Sequence, residues 1–241
     1  MEIRWCTSRS TFDALAADQV AALLARKPAA AIAFPTGLTP VGLYAELTGR
    51  VADGSLSLDQ CRLFDLDEYV GLSADDPQSY AQTIRRQFAE PAHVPPKHLR
   101  LIRGDHTDAD AECREYERAI AVAGGLDLAI LGLGANGHIA FNEPGTAWDT
   151  ATHVATLSAA TRAANAMQFA PGAQVPEHGI TMGIATIRAA REILLLVAGD
   201  SKQHALSALR SGTPSLQWPV TALASHPNLM VIADATLSSL E

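Results

Sequence analysis

The sequence is poor in aromatic residues, short of positive charge, sparing with cysteine, and without a long apolar run. Aromatic side chains make up 5% of the 241 residues, too few for a surface on which unpaired bases stack. The 18 Lys and Arg are outnumbered by 26 Asp and Glu, a formal net charge of -8. A nucleic-acid partner is therefore not expected, because a phosphate backbone demands clustered basic residues. The three cysteines, Cys6, Cys61 and Cys113, are far apart, odd in number and form no C-x-x-C pair. They read as free thiols of a reducing compartment. No apolar run reaches the ~18 residues that a membrane span needs. The opening Met1-Glu2-Ile3-Arg4-Trp5 lacks the basic region and apolar stretch of a secretory leader. No membrane partner is expected, and the cytoplasm is the expected location. The eight histidines show no H-x-x-x-H or H-E-x-x-H spacing, and there is no G-x-S-x-G. Zinc-peptidase and serine-hydrolase chemistry are thereby set aside, and no metal is expected.

What the chain does have is apolar content, 48%, enough for one sizeable core. A single α/β domain over 1–241 is the expected organisation. Short runs that are apolar throughout, rather than alternating, suit parallel strands covered on both faces. Such runs lie at Ala29 to Phe34, Cys61 to Leu66, Leu126 to Leu131, Ile193 to Ala198 and Leu229 to Ala233. Helical patterns lie between them, at Phe12 to Arg26 with Leu15, Val20, Leu23 and Leu24 as its inner stripe, at Ala109 to Ala121, and at Lys202 to Arg210. The alternation predicts a doubly wound, mainly parallel, Rossmann-like sheet with helices on both faces. Ligands of such sheets bind beyond the carboxyl ends of the strands, so the residues that follow each run are the candidates for function.

After Phe34 comes Pro35-Thr36-Gly37-Leu38-Thr39-Pro40, with Thr39 as the expected N-cap and Pro40 at the first helical position. A glycine turn before a helix N-terminus is equipped to hold an anion through backbone N–H groups. After Leu66 comes Asp67-Glu68-Tyr69, which with Asp65 puts three carboxylates in four residues. In a continuous strand Asp65 and Asp67 point the same way. Crowded carboxylates raise one another's pKa, which suits a group that takes and returns a proton. After Leu131 comes Gly132-Leu133-Gly134-Ala135-Asn136-Gly137-His138, and Glu143 follows His138 by five residues. A His with a carboxylate to orient it is acid–base equipment. The glycine spacing is that of a dinucleotide fingerprint, but it is not in the first strand–helix unit and no suitable acidic residue follows, so a nicotinamide cofactor is not expected. After Ala198 comes Gly199-Asp200-Ser201-Lys202. A lysine in a first helical turn opposes the dipole unless an anion shares the place.

Phe64-Asp65-Leu66-Asp67-Glu68-Tyr69-Val70-Gly71-Leu72, the stretch Gly134 to Pro144 and Thr181-Met182-Gly183-Ile184 resemble the glucosamine-6-phosphate deaminase family, and the likeness runs from about Phe34 to His226. The resemblance implies an aldose–ketose isomerisation coupled to loss of ammonia from an aminosugar phosphate, with no cofactor and with a homo-oligomer as a possible state. It implies that Asp67 carries a proton between C2 and C1, that His138 opens the pyranose ring, and that Glu143 orients His138. Asn136 stands where the family has Asp or Asn. Thr36, Gly37, Leu38 and Thr39 match the phosphate turn, Gly137 lies where the backbone approaches substrate, and Lys202 matches a phosphate-contacting lysine. Three positions depart from the family pattern. Leu38 replaces Gly or Ser, Asp65 replaces Asn, and Met167 replaces a phosphate-binding Arg. Losing a guanidinium removes a two-point phosphate contact, so an aminosugar without the 6-phosphate is a second expectation. Two rivals are a sugar lactonase of the same fold, against which Glu143 and Asp67-Glu68-Tyr69 argue, and a non-catalytic sugar sensor, which has no need of Asp67.

Overall fold

The computed structural model describes residues 1–237. Strand β1 (Glu2–Cys6) leads into helix α1 (Arg9–Arg26), followed by β2 (Ala31–Phe34), α2 (Val41–Ala52), β3 (Arg62–Asp65) and β4 (Asp67–Tyr69). Next come α3 (Tyr80–Ile84), β5 (Leu99–Arg100), α4 (Ala109–Val122), β6 (Leu128–Gly132), β7 (His153–Thr156) and α5 (Ala159–Asn165). The chain continues through β8 (His178–Thr181), α6 (Ile184–Arg188), β9 (Glu192–Val197), α7 (Gln203–Ser211) and β10 (Leu229–Asp234). Seven strands form one sheet in the order β1-β10-β9-β6-β2-β3-β5, and every pairing in it is parallel. The five apolar runs are five of its strands, as the doubly wound expectation requires.

Both faces of this sheet are dry. In β2, Ala31 and Ala33 join one apolar cluster while Ile32 and Phe34 join the other, because successive side chains leave a strand on opposite sides. Helix α1 covers the second face with Phe12, Ala16, Ala17, Val20, Leu23 and Leu24. Leu15, assigned to the inner stripe from periodicity, is only partly buried, and Phe12 takes the place expected of it. Helices α4 and α7 cover the first face through Cys113, Tyr116 and Ile120 and through Ala205, Leu206 and Leu209. All three cysteines are buried and free. Among the described residues, no helix is long and apolar enough to cross a membrane.

A second, three-stranded antiparallel sheet, β4-β8-β7, stands beside the first. Its strands are three or four residues long, too short for periodicity to announce. The chain passes from β3 into β4 at Leu66 and thereby changes sheets. Asp65 and Asp67 therefore do not share a side, contrary to the expectation from a continuous strand. Asp65 turns into the core, where its carboxylate accepts the Ile102 N–H at 3.1 Å. Asp67 pairs with Thr181 of β8 and faces the open ends of β2 and β6.

Candidate active site

A cavity of about 140 Å³ opens at those strand ends, at the point where the strand order reverses direction. Its walls come from Pro35 to Thr39 after β2, Leu66 and Asp67 after β3, Gly132 to Gly134, His138, Ala140 and Phe141 after β6, together with Tyr80, Asn165 and Gln168. Three loops far apart in sequence thus meet at one place. A larger cleft of about 610 Å³ lies along β5, but its arginines are already engaged: Arg100 pairs with Glu112, and Arg103 with both Glu112 and Glu115. His106 joins Glu112 and Glu115 there in a grouping that spacing did not reveal. The two arginines already occupy Glu112, which leaves little for a cation.

Asp67 is 6% exposed, and neither of its oxygens accepts a hydrogen bond from the described residues. Burial first, then the charges of Asp65 and Glu68, hold its pKa well above the carboxylate range. A buried carboxylate left free of protein donors is available to a substrate proton. Tyr80 lines the same cavity, and the phenols of Tyr44, Tyr69 and Tyr80, pushed up chiefly by burial, also feel the Asp67 charge.

His138 owes its place to Gly134. The Gly134 N–H donates to the His138 carbonyl at 2.9 Å, and the imidazole lies over the Gly134 backbone so closely that a Cβ there would stand 2.5 Å from the ring. The ring's Nδ1 is buried without a partner. Burial lowers the His138 pKa, the Glu143 carboxylate opposes that, and the Lys202 ammonium adds to it. The imidazole is thus biased to the neutral form, whose unprotonated ring nitrogen can accept a proton.

Glu143 makes no hydrogen bond to His138. Its Oε2 accepts the Asn136 amide at 2.8 Å, its Oε1 accepts the Ser158 N–H at 3.3 Å, and Asn136 Oδ1 accepts the His138 backbone N–H at 3.2 Å. Glu143 reaches the imidazole by charge, and through Asn136 it steadies the backbone that carries the ring. The following turn is fastened by Asn142, fully buried, whose amide donates to the carbonyls of Ile139 and Met182. Ala140 is held there at φ 50°, a conformation uncommon for a residue with a Cβ.

The remaining expected residues divide. Thr36, Gly37, Leu38 and Thr39 line the cavity, with Gly37 at φ 95° as its turn requires. Thr39 is not the cap of α2, however; Pro40 occupies that position and no side chain caps the helix, so its first N–H groups are left for a ligand. Gly137 is not in the wall. It lies at φ 83° against Trp218, whose ring atom would be 2.7 Å from a Cβ. Met167 is 89% exposed and lies outside the cavity, so only Leu38 of the two apolar replacements touches the site. Lys202 is half-buried just before α7, close enough to act on His138, and burial lowers its pKa. No carboxylate among the described residues pairs with it. Sequence reasoning missed Tyr80 and Gln168, and it gave no role to Asn165 or to Phe141, although Phe141 lies within the stretch Gly134 to Pro144.

Asp65, the third carboxylate, has its pKa raised to about 8 by burial and by the charge of Glu68. The Tyr116 hydroxyl lies 2.6 Å from the Asp65 carbonyl oxygen and 2.9 Å from Oδ1. One hydroxyl proton cannot serve both, so the arrangement is completed when Asp65 carries a proton. A folded pKa above the unfolded 3.8 means that the native state holds this proton where the unfolded chain has lost it. The resulting stability is fully present below the unfolded value and falls as pH rises to about 8. Asp65→Asn, which supplies the same donor at every pH, is expected to show a smaller fall in Tm than the parent between about pH 5.5 and about pH 8.5. Thermal melts at both pH values test this, and an unchanged slope would remove Asp65 as its source.

Fold and pocket define an α/β protein with a free carboxylate and an imidazole facing one cavity at the strand ends. Residues 8–231 match the family of glucosamine-6-phosphate isomerases and 6-phosphogluconolactonases, and the chain belongs to that family. A glucosamine-6-phosphate deaminase of Cutibacterium acnes is 41% identical over 239 residues, 99% of this chain and 92% of the relative. The solved structure of a monomeric glucosamine-6-phosphate deaminase superposes with a TM-score of 0.97 at 38% identity, covering 100% of both chains. The 6-phosphogluconolactonase from Trypanosoma cruzi matches with a TM-score of 0.78 at 20% identity, over 99% of this chain and 96% of its own, which speaks for a common fold alone.

Proposed function

We propose that the protein converts glucosamine 6-phosphate and water into fructose 6-phosphate and ammonia. The observation that carries this is Asp67: a buried carboxylate, raised in basicity, free of protein hydrogen bonds, in the same cavity as His138. His138 moves the proton that opens the pyranose ring. Asp67 removes the proton from C2, giving an enolamine, and returns it to C1, leaving a ketimine at C2. Water adds to that carbon and ammonia leaves. A carbon acid is weak, so the base must be desolvated and close to the carbon. The 6-phosphate is assigned to the free N–H groups at the start of α2 and to Lys202, an anion arrangement that needs no guanidinium.

One observation favours a second substrate, the aminosugar without phosphate. Among the described residues that line the cavity there is no Lys or Arg, and Leu38 is one of them. Ammonia release, measured with glucosamine 6-phosphate and with glucosamine, decides between them. A kcat/KM higher for the phosphorylated sugar is expected, and equal values would move the assignment to the free sugar. Hydrolysis of 6-phosphogluconolactone without ammonia release from either aminosugar would overturn both.

A further inference from the structure

Glu68 stands between the proposed base and Tyr69, and the chemistry above gives it nothing to do. Its side chain is nonetheless the most heavily bonded carboxylate near the cavity. It is fully buried. Oε1 accepts the N–H of Tyr69 at 2.8 Å and of Tyr80 at 3.1 Å, and Oε2 accepts the N–H of Ala81 at 2.8 Å. Every partner is a donor, which favours the ionised carboxylate and partly offsets the burial that raises its pKa to about 7. Two of those donors are the first two N–H groups of α3; Ser79 caps the next with its hydroxyl, accepting from Gln82 at 3.0 Å. Helix α3 is only five residues long before it widens into a π-helical segment, Arg85–Ala89. So short a helix has little stability of its own, and its position depends on what holds its start.

That start carries Tyr80. Its ring is 4.8 Å from that of Tyr69 and 5.8 Å from that of Phe141, its hydroxyl is 3.0 Å from that of Tyr69, and it lines the cavity together with Asp67. Asp67 is the residue immediately before Glu68 on β4.

We propose that Glu68 is a positioning residue: its carboxylate ties the first turn of α3 to β4 and so sets Tyr80 and Asp67 opposite each other across the cavity. A second consequence is electrostatic. The titratable groups near enough to act on Asp67 by charge are Asp65, Glu68, Tyr44, Tyr69 and Tyr80, and His138 shares its cavity, with Lys202 near His138. Removing the Glu68 charge takes one like charge from the base, so Asp67 ionises at lower pH.

The test rests on the deaminase reading for one arm only. In Glu68→Gln, one amide oxygen must replace two carboxylate oxygens and an NH2 meets backbone donors. The expected result is a kcat lower by about 10- to 100-fold, a KM changed less than kcat, and an acid limb of kcat/KM moved to lower pH. Glu68→Asp keeps the charge but falls short of the three amides. It should lose kcat while the acid limb stays in place. Hydrogen exchange at the Tyr80 and Ala81 amides, which needs no substrate, should accelerate in both variants. Unchanged kcat and pH profile with a lower Tm would make Glu68 merely structural and overturn the proposal, as would unchanged exchange at the two amides. If Glu68→Gln does not fold, Glu68→Asp decides by the same two measurements. An unmodified protein that releases no ammonia would sink the functional reading instead, and the exchange arm would still judge the tie.

Discussion

Replacing Asp67 by Asn is expected to lower kcat for ammonia release by about 10³-fold, within the range by which a positioned base accelerates proton transfer. Sugar affinity should change only a few-fold, because the amide has nearly the shape of the carboxylate and no hydrogen bond to the described residues is lost. The fold should not suffer either. Asp67 is buried beside Asp65 and Glu68 with a raised pKa, and a neutral group removes a charge that burial and like charges both disfavour. Loss of activity with retained melting temperature and retained binding is therefore the expected pattern. Exchange of the C2 proton with deuterated solvent should disappear together with ammonia release, since both require the same base. A variant that kept a tenth of the parent rate would show that another group carries the proton, and the assignment to Asp67 would fall.

Gly134→Ala is expected to be almost as damaging by a different route. An added Cβ would stand 2.5 Å from three atoms of the His138 ring. Imidazole is rigid and this one is half-buried with its Nδ1 covered, so the ring as a whole has to move. A shift of about 1 Å in a reacting group costs on the order of 10²-fold in rate. The loss should fall on kcat more than on KM, because the Thr36 to Thr39 turn that is assigned to the phosphate lies on another strand. A rate equal to the parent's, with a folded protein, would mean that His138 need not sit where it does. The contrast with Asp67→Asn is useful: one variant removes a chemical group, the other only displaces one.

Much of this was legible in the linear chain because the signals are local. Runs such as Ile193 to Ala198 are apolar at every position only when both sheet faces are covered, so five strands and the parallel class followed from pattern. Loops after those strands held Asp67, His138, Glu143 and the Thr36 to Thr39 turn, and the strand-end rule for ligands named them before any coordinate. Thr39 as a cap failed because the helix begins one residue later than expected, at Val41, which puts Pro40, without a side chain that can cap, in the capping position. The short antiparallel sheet escaped because a strand such as Asp67–Tyr69 has too few residues to show a period.

What no local pattern contained was the direction in which side chains point after the chain bends. Asp65 and Asp67 are two apart, and by alternation alone they are partners; the step from one sheet to another at Leu66 sends one into the core and the other into the cavity. Glu143 was placed near His138 by spacing; the fold bonds its carboxylate to Asn136 rather than to the ring, so it acts on the imidazole by charge and on its backbone through Asn136. Met167 was assigned to the pocket and lies in solvent, while its neighbour Gln168 lines the wall. Composition and periodicity specify which residues are buried and which loops end strands, since those depend on hydrophobicity along the chain. Which of two adjacent polar side chains meets the substrate depends on backbone rotation at single residues, and packing across the whole molecule settles that.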